Sequence, residues 1–131
     1  MYGGLERRLD PRVDAQIVLE VLPSPSTGER PVRLMTRNVS SSGASCLAPV
    51  PLPLNSLLSC RLLLPDAPEE GIATDVIVLR VEDRRPGSAS FTVALYFVEM
   101  RPEDREQIRR FVFEQLGIER RRLQPAANDK P

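Results

Sequence analysis

The feature that most constrains this chain is a change of period near residue 101. Upstream, apolar and polar residues alternate in short runs, each cut off by Pro, Gly or a charge cluster. Candidate strands are 14–23 ("DAQIVLEVLP"), 32–39 ("VRLMTRNV"), 43–48 ("GASCLA"), 57–65 ("LLSCRLLLP"), 72–83 ("IATDVIVLRVED") and 88–100 ("SASFTVALYFVEM"). Alternation of this kind, with turn residues between the runs, marks half-buried antiparallel strands. The segment 49–56, "PVPLPLNS", is read as a loop because its prolines lack a ladder donor.

Downstream, "RPEDREQIRRFVFEQLG" (101–117) has helical spacing. Pro102 suits the first helical position, and Glu103 and Asp104 suit the positive end of the helix dipole. Ile108, Phe111, Val112 and Leu116 form one apolar stripe. Gly117 is read as the stop. The expectation is a mainly all-β fold: a six-stranded antiparallel β-barrel with a C-terminal α-helix packed at its opening. Residues 1–5 are read as a flexible N-terminus, 6–117 as the domain with an arginine arm at 6–13, and 118–131 as a polar tail.

Composition narrows the chemistry. The 131 residues suit one domain. His is absent, and no acid pair or activated nucleophile stands out, so an enzyme is not expected. Cys46 and Cys60 lack metal spacing and read as buried thiols. No apolar stretch is long enough to span a bilayer and the N-terminus has no signal-peptide pattern, which reads as a cytoplasmic protein. Formal net charge is zero, against a DNA-binding role, yet 17 of the 18 basic residues are Arg. Arg offers a planar fork for phosphates and base edges, which Lys does not.

Two segments concentrate this chemistry. In "ERRLDPR" (6–12), Arg7, Arg8 and Arg12 are grouped on a leader in which Pro11 disfavours helix at Asp10. Guanidinium groups so placed can clamp phosphates and stack on a flat base. In "RNVSSSG" (37–43), Asn38 and Ser40 lie two apart and Gly43 permits a tight reversal without a Cβ. That makes a shallow polar ledge for a purine edge. Taken singly, each segment also fits a plain role: Asn, Ser and Gly are common turn formers, and an Arg-rich leader is a common solvated tail.

Together, Arg8-Leu-Asp-Pro-Arg12 and Asn38-Val-Ser40-Ser-Ser-Gly43 resemble the paired motifs of the PilZ domain family, R-x-x-x-R followed by [D/N]-x-S-x-x-G. The stretch 93–114 resembles that family's last strand running into its helix. The resemblance implies a bacterial receptor for the second messenger cyclic di-GMP, with no other cofactor. It implies that Arg8 and Arg12 contact phosphate and guanine groups, and that Arg7 is the extra arginine many members carry. It implies that Asn38 and Ser40 bond a guanine and position the turn, and that Gly43 is the turn glycine. Asn38 stands where Asp is commoner, and Ala94 where Gly is frequent. The expected action is docking of the arginine arm on ligand binding. That would signal to a protein partner in motility, exopolysaccharide production or regulation, from a monomer or weak dimer. The alternatives are an adaptor of this fold that binds no ligand, and a small barrel binding single-stranded RNA. The "IRRF" (108–111) and "ERRR" (119–122) segments are read as solvated surface.

Overall fold

The computed structural model describes residues 10–25, 27–65, 69–83 and 86–123, with side chains to 118. The strands are β1 (Val13–Asp14), β2 (Val18–Val21), β3 (Val32–Val39), β4 (Gly43–Ala48), β5 (Leu57–Leu63), β6 (Ile72–Glu82) and β7 (Phe91–Val98). One helix, α1, spans Pro102–Leu123. Six strands form a closed antiparallel barrel in the order β3-β2-β5-β6-β7-β4, with β4 returning to pair with β3. β1 is an added strand on β3, pairing Val13 with Val39 and Asp14 with Asn38.

The alternation sends one side chain in two inward. Leu19, Val21, Leu34, Val39, Leu62, Val76, Val78, Val93 and Phe97 are almost wholly buried. Ile108, Phe111 and Val112 join the same core from α1, and Leu116 packs against it. The stripe is thus the face by which the helix attaches. Cys46 and Cys60 are buried free thiols. Burial pushes both thiols up to about 12, with the neighbouring Cys60 adding to the effect at Cys46 and Asp75 to that at Cys60. They are unreactive structural residues. No helix among the described residues is long and apolar enough to cross a membrane.

Three details depart from the sequence reading. First, the expected strand 14–23 is broken. Residues 15–17 bow out of the ladder, and the buried Thr36 hydroxyl fills the gap. It accepts a hydrogen bond from Ile17 N–H at 2.7 Å and donates to the Ala15 carbonyl at 2.6 Å. Second, Val13 is only 2% exposed and belongs to the core, so the end of the expected arm is a short strand laid on the barrel. Third, α1 runs through Gly117 to Leu123. Gly117 lacks the positive φ of a helix-ending glycine, and the Glu, Arg and Leu residues after it favour helix.

Thr36→Val would leave the Ile17 N–H and Ala15 carbonyl without their side-chain partner in a dry site. We expect a loss of about 2 kcal/mol of stability. A lower urea midpoint at unchanged slope would show it.

Candidate functional site

The serine turn that follows β3 is built inward rather than outward. Ser40 and Ser41 are only 1% and 3% exposed. Ser40 N–H donates to the Gly43 carbonyl at 2.9 Å, and Ser40 Oγ accepts from Ser42 N–H at 3.2 Å. The Ser40 and Ser42 hydroxyls are bonded to each other at 3.0 Å. Phe97 N–H donates to the Ser42 carbonyl at 2.9 Å, which ties the turn to the chain end of β7. Ser40 therefore shapes the turn, and its hydroxyl is spent on that task.

Gly43 serves a different purpose from the one its type suggests. Its φ is not in the left-handed region. Instead, a Cβ at this position would lie 2.3 Å from the Leu95 carbonyl oxygen. The glycine is required by close approach of two backbones across the β4–β7 pair.

The arm is fastened to this turn at two points. Asp10 accepts hydrogen bonds from Ser41 N–H at 3.1 Å and from the Ser41 hydroxyl. Arg12 Nη1 donates to Asn38 Oδ1 at 2.8 Å. The two motifs are thereby joined across 26 residues of sequence. Arg7 and Arg8 lie outside the described residues.

Helix α1 completes the clasp. Arg105 Nη1 donates to the Ser41 carbonyl at 2.7 Å, and Arg109 Nη2 to the Ser41 hydroxyl at 3.4 Å. Asp10, Ser41, Arg105 and Arg109 were not expected as site residues. The legible signal was the four-residue spacing of Arg105 and Arg109 beside the apolar stripe, which puts both at the helix–barrel seam. Arg109, inside "IRRF", is half-buried there rather than solvated surface.

Burial raises the pKa of Asp10. The bonds from Ser41, the nearby Ser42 hydroxyl and the charge of Arg109 outweigh it and hold the carboxyl below its ordinary 3.8. A lowered native pKa stabilises the fold above the unfolded value and loses that contribution as pH falls through the native one. We therefore expect Asp10→Asn to be less stable than the parent by a constant margin from pH 5 to 7. The margin should shrink below about pH 4, where Asp10 protonates in the unfolded chain. Urea titrations of both proteins across that range measure it.

Outside the barrel, Asn38, Ser45 and Ala94 lie side by side through the β3–β4 and β4–β7 registers. Ser45 and Ala94 are small and half-buried, and make a low floor next to Asn38. An open depression of about 830 Å³ adjoins Asn38, lined among others by Asp14, Gln16, Met35, Arg37 and Leu47. Such a surface can hold a flat polar ring and an anion, with Arg12 at its edge. Among the described residues, no group of three His, Cys, Asp or Glu is placed to hold a metal.

The model of the PilZ domain family matches residues 6–114. No curated protein gives a significant sequence match. Among solved structures, an inhibitor of motility from Bacillus subtilis (MotI/DgrA) is similar with a TM-score of 0.71 and 22% identity. That match covers 88% of this chain and 54% of the other, so this chain spans about half the length of that relative. The PilZ domain of YcgR from Escherichia coli, solved with c-di-GMP, gives a TM-score of 0.66 at 13% identity, covering 95% and 99%. The PilZ domain of CeSA from a cellulose-synthesizing bacterium gives 0.52 at 19% identity, covering 79% and 96%.

Proposed function

The chain belongs to the PilZ domain family, and from that premise we propose that it is a cyclic di-GMP receptor that signals to a protein partner. The observation that carries this reading is the Arg12–Asn38 hydrogen bond, which unites the arginine motif and the serine-turn motif at one edge of the small-residue floor. A doubly phosphorylated guanine dinucleotide suits that edge. Its phosphates meet guanidinium groups, and a base lies over Ser45 and Ala94. Arg12 contributes from its present position. Arg7 and Arg8 close over the ligand from the tether that Asp10 and Arg12 provide. Charged hydrogen bonds of about 1.5–3 kcal/mol each offset the ordering of the leader.

The arm's contacts also suggest how occupancy is passed on. Asp10 lies between the two motif arginines and touches the same serine that Arg105 and Arg109 hold. A ligand that pulls on the arm therefore pulls on the helix seam, and the altered surface is what a partner reads. The protein acts as a receptor and not as a catalyst. Motility, exopolysaccharide secretion or another regulated pathway supplies the partner. MotI carries motility inhibition in its name.

A second reading, an adaptor without ligand, has one observation in its favour. The Asp10 and Arg12 bonds hold the arm on the barrel with protein groups alone. Calorimetric titration with cyclic di-GMP separates the two. Saturable binding, with protection of the Arg7 to Arg12 segment from trypsin, is the expected result. No heat at high protein and ligand concentration leaves the adaptor reading standing.

A further inference from the structure

We infer that Arg37, a residue in neither motif, is a further ligand contact that selects guanine over adenine; this rests on the receptor reading above. The first ground is the bulge in β3. The β3–β4 register shifts between Thr36 and Asn38, so Arg37 is an extra residue. An extra residue re-aims its neighbours. Here it leaves Arg37 exposed directly beside the half-buried Asn38, on the depression that both line.

The second ground is that its guanidinium is uncommitted. Among the described residues, Arg37 makes no side-chain hydrogen bond or ion pair, while its backbone carbonyl accepts from Ala15 N–H. Arg33, four residues earlier on the same strand, is instead bonded to Glu20 at 2.9 Å. Asp14, the one carboxylate lining the depression, forms no ion pair with Arg37.

The third ground is the donor pattern. Asn38 Oδ1 is already taken by Arg12, so Asn38 offers the depression its amide N–H donors. Arg37 adds a planar fork of donors beside them. A donor-rich edge pairs with the O6 and N7 acceptors of guanine. It meets a mismatched amino donor at the same edge of adenine. The selectivity that a carboxylate at position 38 would supply through the other guanine edge is thus supplied here by Arg37.

The test is a set of titrations with cyclic di-GMP, and competition by cyclic di-AMP, on the full chain and on Arg37→Ala, Arg37→Lys and Arg33→Ala. Thermal melts confirm folding of each variant. We expect Arg37→Ala to bind cyclic di-GMP about tenfold more weakly or worse, and to lose a similar factor of preference over cyclic di-AMP. Arg37→Lys should recover only part of the loss, since it restores charge without the fork. Arg33→Ala should stay within about twofold of the parent. Arg37→Ala binding as the parent does would overturn the inference while leaving the receptor reading intact. An equal loss for both dinucleotides, or an equal loss in Arg33→Ala, would also overturn it, because charge alone would then explain the effect. Absence of binding by the parent would remove the receptor reading itself, and this inference with it.

Discussion

Gly43→Val is expected to melt at least about 10 °C below the parent, or to fail to accumulate as folded protein. The reason is spatial. A Cβ at 43 would sit 2.3 Å from the Leu95 carbonyl oxygen, and that oxygen belongs to the barrel wall and not to a movable side chain. Gly43 is paired with Tyr96 and its neighbour Ala44 with Leu95, so relief requires β4 and β7 to separate. Overpacking against adaptable side chains costs about 1–3 kcal/mol, and a clash with fixed backbone reaches at least the top of that range. Separation would also stretch the bond from Phe97 N–H to the Ser42 carbonyl, and so deform the turn. Gly87→Ala is the contrasting control. Nothing lies within 4 Å of its Cβ position, and only its φ of +82° resists the change. About 1 kcal/mol is expected there. Equal melting temperatures for the two variants would refute the close-approach account of Gly43.

Arg12→Ala and Asn38→Asp are expected to move cyclic di-GMP affinity in opposite directions. Arg12 is the one arginine of the two motifs whose position is described, and it lies within 2.8 Å of Asn38. Removing a guanidinium from a phosphate or guanine contact costs about 2–3 kcal/mol, a weakening of roughly 30- to 150-fold. Asn38→Asp adds a charge-assisted acceptor for guanine N–H groups, worth about 1 kcal/mol or fivefold. The gain stays that small because Asp at 38 gives up the amide donors that face guanine O6 and N7, and strengthens its bond to Arg12 in the free protein. The double variant tests this. Without Arg12 to compete, the added carboxylate is expected to give a larger gain than it does alone. Calorimetry on the four proteins provides the cycle. An Arg12→Ala protein that binds like the parent would exclude Arg12 from the ligand.

The barrel was largely legible because its strands are long enough to show their period. β3 at Val32–Val39 and β4 at Gly43–Ala48 coincide with the runs read from alternation. β1 was not legible. Two residues carry no period, and Val13 follows Asp10, Pro11 and Arg12, which read as part of a polar arm. The break after it depends on Thr36, whose hydroxyl looks like any strand threonine until the partner strand is in place. The helix is legible in its period, but Gly117 reads locally as a stop that the following residues override. Of the candidate site, Arg12, Asn38, Ser40 and Gly43 could be singled out because they fall in fixed-spacing motifs. Arg105 and Arg109 show only their helical spacing, and Asp10 and Ser41 carry no signal of their own, because the leader and the helix meet at Ser41 from 31 residues before it and more than 60 after it.

The closed wall has a consequence for how any complex must be made. Each of the six barrel strands has a strand neighbour on both sides, and β1 occupies the stretch of β3 that β2 does not reach. Among the described residues, a partner therefore finds only short open stretches of backbone, such as the end of β6 beyond β5, onto which it could zip a strand of its own. Along the described wall, recognition therefore proceeds mainly through side chains standing on its outside or on the helix. Its specificity is then open to change one surface residue at a time, while the wall beneath stays as it is.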